Sequence, residues 1–109
     1  MNKMKIVFSA CMVASLLIGC FPQASQVIRS LPIETKEQIA AQYTPEQIAQ
    51  GERINTMSCG KCHQLKDPNT RTPEQWNKIV KRMIPRAKLS DEDGKLVRAY
   101  LIAHAKEDK

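Results

Sequence analysis

Aromatic residues are scarce in this 109-residue chain: one Trp, two Phe and two Tyr. A core of ordinary density is hard to build from so few large side chains, so something other than side chains is expected to fill the middle. Glycine is also sparse, with four residues, and histidine has only two. No stretch alternates apolar and polar residues long enough to signal a strand, which points away from β and α/β classes. The longest apolar run, Ile6 to Ile18, falls short of the roughly 20 residues of a comfortable membrane span. With two His and four Cys, few complete metal-ligand sets are possible.

What the run does fit is export. Lys3 and Lys5 precede it without any acid, and its length lies in the secretory range of about 7–15 residues. No small-residue A-x-A-like cleavage pattern closes it. Instead Leu17-Ile18-Gly19-Cys20 resembles the lipobox of bacterial lipoproteins. That resemblance implies cleavage before Cys20, acylation of Cys20, and a lipid-anchored protein on the periplasmic face of a bacterial membrane. Cys11 reads as a small apolar residue inside the run. Loss of residues 1–19 removes Lys3 and Lys5 and no acid, so the formal charge of +6 becomes +4. That is too little to argue for nucleic acid, but it leaves room for a cationic docking patch.

Residues 20–43 read as a linker between anchor and fold, with Pro22, Pro32, scattered apolar residues and at most a short helical turn from Glu34 to Gln42. Three helices are predicted beyond it, in a domain of residues 44–109. Thr44-Pro45-Glu46-Gln47 is a capping box with proline at the first helical position, and Thr72-Pro73-Glu74-Gln75 repeats it. The first helix is expected from Pro45 to about Met57, with Ile48, Gly51, Ile54 or Asn55, and Ser58 facing inward. The second is expected from Pro73 to about Ile84, stopped by Pro85. On it Trp76, Ile79, Val80, Met83 and Ile84 fall on one face. The third starts at Ser90 with three acids at its positive dipole end. It is expected to reach about Ala105, with Leu96, Val97, Tyr100, Leu101 and His104 on a stripe.

Between the first two helices stands Cys59-Gly60-Lys61-Cys62-His63, the C-x-x-C-H spacing. Two thiols three positions apart on one turn can reach both vinyl groups of one porphyrin, and the following histidine can ligate its iron. A thioredoxin-like C-x-x-C needs a preceding strand, and none is predicted. A structural zinc site wants four ligands, and only Cys59, Cys62, His63 and the distant His104 are at hand. An exported disulfide is the remaining plain alternative. The expected cofactor is therefore one covalently attached haem c, held by Cys59 and Cys62 with His63 on the iron.

Around this motif the stretch from Ala49 to Ala105 resembles a small monohaem class I c-type cytochrome. Gly51-Glu52-Arg53-Ile54 matches the helix before the family's motif, and Tyr100 matches the aromatic that packs on that glycine. The resemblance implies an all-α, three-helix cytochrome c-like fold around the haem, and a sixth iron ligand. Met83 is the best placed. Met57 stands too close to Cys59 to swing to the opposite face, and His104 is near the chain end. The sequence departs from larger members in the short separation between motif and methionine, and in placing Pro85 two residues on. Trp76 is expected to pack against the porphyrin, to hydrogen-bond a propionate, or simply to pack in the core.

Between Cys59 and Lys88 eight bases face only Asp67 and Glu74, a local net charge of +6. This suits a redox partner protein with an acidic surface. The expected function is that of a membrane-tethered electron carrier, not an enzyme, with no small-molecule substrate. A haem-based ligand sensor, or a fixed electron-transfer subunit of a larger oxidoreductase, are the alternatives.

Overall fold

The computed structural model describes residues 26–59 and 65–107. Every regular element among them is helical: α1 (Gln26–Ser30), α2 (Lys36–Gln42), α3 (Pro45–Ile54), α4 (Pro73–Arg86) and α5 (Asp91–Ala103). A π-helical turn (Asn55–Cys59) extends α3, and a 3-10 turn (Pro68–Thr70) precedes α4. The chain is all-α over this range, as expected. The signal segment 1–19, Cys20, Cys62 and His63 lie outside the described residues.

The helix starts follow the local chemistry. The Thr44 hydroxyl accepts the Gln47 N–H at 3.2 Å, and Gln47 Oε1 accepts the Thr44 N–H at 2.9 Å. Thr72 and Gln75 repeat the exchange at 3.3 and 3.0 Å. A third capping box, Thr35 with Gln38, opens α2. Each satisfies orphan donors of a first turn, a contribution of about 1 kcal/mol. Ser90 caps α5 through the Asp93 N–H.

Helix α5 runs through the centre, with Val97, Ala99, Leu101 and Ile102 all buried. Helix α3 crosses it at Gly51, where an added Cβ would collide with the Leu96 carbonyl and stand 3.0 Å from the Tyr100 Cβ. The glycine expected to meet Tyr100 therefore does so, and only a residue without Cβ permits this approach. Helix α4 packs on α5 near Gly94, where a Cβ would lie 2.8 Å from Ile84 Cγ2.

Three expectations need correction. First, the stretch taken for a linker is part of the folded body from Gln26 onward. Ile28 and Ile39 are fully buried in the core. The segment between α1 and α2 is clasped by Arg98, whose side chain is 2% exposed. Arg98 Nη1 donates to Glu34 Oε2 at 2.7 Å, Nη2 donates to the Pro32 carbonyl at 2.7 Å, and Nε and Nη2 both donate to Asn77 Oδ1. Asn77 Nδ2 in turn donates to the Pro73 and Glu34 carbonyls. Burial pushes the Glu34 carboxyl up, but hydrogen bonds from Gln42 and Arg98 and the guanidinium charge outweigh it and hold it below the ordinary range. Second, the first helix leaves α geometry after Ile54, and the wider π turn carries it to Cys59.

Third, Pro85 does not stop α4, which continues to Arg86. A proline forfeits one intrahelical hydrogen bond, a small loss where the helix ends a residue later. The end is closed by a Schellman arrangement: Leu89 N–H donates to the Ile84 carbonyl at 3.4 Å and Lys88 N–H to the Pro85 carbonyl at 3.1 Å. Lys88 occupies the left-handed position with φ 55°. Helix α5 ends at Ala103, two residues earlier than expected, though Ala105 is still buried.

Candidate functional site

A cavity of about 480 Å³ lies between α4, α5, the π turn and the loop leading to α4. Its size falls within the roughly 300–1,000 Å³ of cofactor and ligand sites. Trp76, Ile79, Val80, Met83 and Ile84 of α4 form one wall, and Val97 and Leu101 of α5 form another. The α4 set is the whole apolar face read from the sequence spacing. Trp76, Val80 and Ile84 of that face are at the same time buried in the core, while Ile79 and Met83 are half-buried.

The π turn contributes Asn55 and Cys59, both buried. The two are four residues apart, so the turn presents them on the same side. Cys59, the first thiol of the motif, thus stands in the cavity wall. Cys62 and His63 fall outside the described residues.

The three candidates for a sixth ligand separate by position. Met83 is half-buried and borders the cavity. Met57 is 71% exposed and does not border it. His104 is exposed at the end of α5, with its ring centroid 5.1 Å from that of Tyr100. Burial, with the charges of Glu52 and Asp67, pushes the Tyr100 phenol up, which keeps it neutral beside Gly51.

Trp76 resolves one expectation in part. Its ring borders the cavity, but its indole N–H donates to the Pro68 carbonyl at 2.7 Å and is not free for a carboxylate. The loop supplies features that periodicity could not show. Leu65, Lys66 and Arg71 border the cavity, as does Arg82 of α4. The clustering of bases between Cys59 and Lys88 was the only signal for them in the sequence.

The lining is compatible with a largely apolar group that carries carboxylates. Among the described residues that border it are apolar side chains and the Trp76 indole, a thiol, a thioether and three cations, and no carboxylate. Among the described residues no group of three or more His, Cys, Asp or Glu is placed to hold a bare metal ion. Among them, too, no helix is long and apolar enough to cross a membrane. No protein-family model, curated protein or solved structure matches this chain.

Proposed function

We propose that this chain is a c-type cytochrome, tethered by lipid at Cys20, that carries single electrons at a bacterial membrane. The observation that carries the reading is that Cys59 of the C-x-x-C-H sequence and Met83 border the same apolar cavity. Cys59 and Cys62 would hold the porphyrin covalently, and His63 and Met83 would ligate its iron. The bound group would supply an iron that cycles between ferric and ferrous states.

The residues of the chain account for the rest. The apolar walls exclude water, which favours the less charged ferrous form. The Met83 thioether, a soft donor, works in the same direction. With His63 and Met83 both committed to the iron, the reading is a carrier and not an enzyme. The bases of residues 59–88 offer an acidic protein partner a complementary surface.

The deciding experiment is the absorption spectrum of the full chain after export and maturation, with and without carbon monoxide. A covalently bound, low-spin haem that ignores carbon monoxide is expected, and Cys59→Ala with Cys62→Ala should abolish the attachment. Protein with no bound haem would refute the reading, and a wild-type protein that takes up carbon monoxide readily would favour a ligand sensor. For the anchor, Cys20→Ser should release the protein from the membrane fraction; continued retention after a salt wash would refute the lipobox.

A further inference from the structure

The folded body begins close to the candidate lipid position. Only Phe21 to Ser25 separate Cys20 from the start of α1 at Gln26. Even fully extended, that stretch spans at most about 20 Å. The long linker expected from the sequence is therefore reduced to a short leash, and α1 is the first part of the fold to meet whatever holds Cys20.

This first part is pinned to the core at two points. Ile28 is buried against the start of α5, where a Cβ added to Gly94 would lie 3.5 Å from its Cδ1. Arg98 then holds the Pro32 carbonyl and the Glu34 carboxylate, each at 2.7 Å. The outward residues around these points have a particular composition. Three large hydrophobic residues are exposed among the described residues, and two of them stand here, Val27 at 43% and Ile33 at 55%. Gln26, Arg29, Ser30 and Pro32 are exposed with them. Residues 26–33 hold one base, Arg29, and no acid. Apolar side chains beside a cation suit the boundary between anionic headgroups and acyl chains. Two such side chains are too few to draw a protein from solution. A leash of this length supplies the missing term, because it keeps the local concentration of lipid surface high.

We propose that residues 26–33, through Val27, Arg29 and Ile33, form a seat that rests on the headgroup layer of the bilayer holding the Cys20 lipid. The assignment rests on the lipobox reading above and is independent of the haem. No residue of α1 or α2 borders the cavity, so the seat and the cavity are separate surfaces. The seat gives the body one preferred orientation on the membrane in place of a free swing. It also limits the carrier to partners within reach of that membrane.

The test is hydroxyl-radical footprinting of the exported, matured full chain, read residue by residue by mass spectrometry. Wild type is placed in vesicles of phosphatidylethanolamine and phosphatidylglycerol, and Cys20→Ser protein released into solution is the comparison. Met57, 71% exposed on the π turn, is the internal control. Labelling of Val27 and Ile33 should fall severalfold on the vesicles, while Met57 labels equally in both samples. Val27 and Ile33 that label on vesicles as they do in solution would overturn the seat, and so would an equal loss at Met57. Labelling of Val27 and Ile33 in Cys20→Ser protein that falls as its concentration rises would give the surface to a second copy of the chain and overturn the lipid assignment. The intact mass separates this failure from that of the anchor. Wild-type protein without acyl chains on Cys20 would overturn the proposal at its foundation, whereas acylated protein with exposed Val27 and Ile33 would overturn the seat alone.

Discussion

Replacing Arg98 with Met removes a charge from the centre of the molecule while keeping most of the side-chain volume. The guanidinium makes four hydrogen bonds, two of them to Asn77 Oδ1 and one each to Glu34 and Pro32. Its loss strands the Glu34 carboxylate, whose side chain is only 12% exposed, and leaves the Pro32 carbonyl without its donor. Breaking a buried pair from one side costs about 3–5 kcal/mol, because the surviving charge loses its counter-charge, and the Gln42 hydrogen bond that Glu34 keeps places the cost toward the lower end. Typical domains hold about 5–15 kcal/mol in all, so Arg98→Met should remove a large share of the stability. Urea unfolding of Arg98→Met beside wild type, in the same haem-loaded state, measures it as a fall in midpoint. The double variant Arg98→Met with Glu34→Leu should recover part of the loss, since no charge is then stranded. The pH dependence has a definite sign. The Glu34 carboxyl is held below its ordinary value of 4.5 in the folded state. Its contribution is thus complete above that value and is lost as pH falls through the lower, folded one. Glu34→Gln should flatten this acid limb. An Arg98→Met cost below about 1 kcal/mol would refute the clasp as an element of the fold, because surface ion pairs contribute no more than that.

The other expectations concern single positions. Gly51→Ala should destabilise by about 1–3 kcal/mol in thermal or urea unfolding, because the new methyl meets the Leu96 carbonyl at the α3–α5 crossing and backbone cannot step aside. Lys88→Gly should stabilise by about 1 kcal/mol in the same assay, since Lys88 holds φ 55° at the end of α4. Met83→Ala should keep covalent haem but give a high-spin or water-bound iron that takes up carbon monoxide when reduced, with a lowered potential. Met57→Ala and His104→Ala, which lie off the cavity, should leave the spectrum unchanged.

Much of the architecture was legible locally. Capping boxes at Thr44 and Thr72 and the Ser90 cap act within four residues, so sequence alone located three helix starts. The face of Trp76, Ile79, Val80, Met83 and Ile84 follows from helical geometry, and all five border the cavity. The resemblance carried by Gly51 and Tyr100, not periodicity, anticipated the α3–α5 crossing. The clasp was not legible in this way. Arg98 sits between Val97 and Ala99 on a helix buried around most of its circumference, and its partner Glu34 is 64 residues away. Ile28 and Ile39 stand too far apart to set up a period, so a segment of the core passed for a tether.

Structure confined to a few neighbouring residues, such as caps and helical faces, was determined by the sequence by itself, because its partners lie within a turn or two. Only the tertiary structure decided which of Met57, Met83 and His104 borders the cavity, that Trp76 spends its N–H on Pro68, and that residues 26–43 belong to the core. Each of those outcomes depends on what another part of the chain brings alongside. A side chain's burial and hydrogen-bond partner are properties of that meeting, and periodicity along one helix carries no record of it.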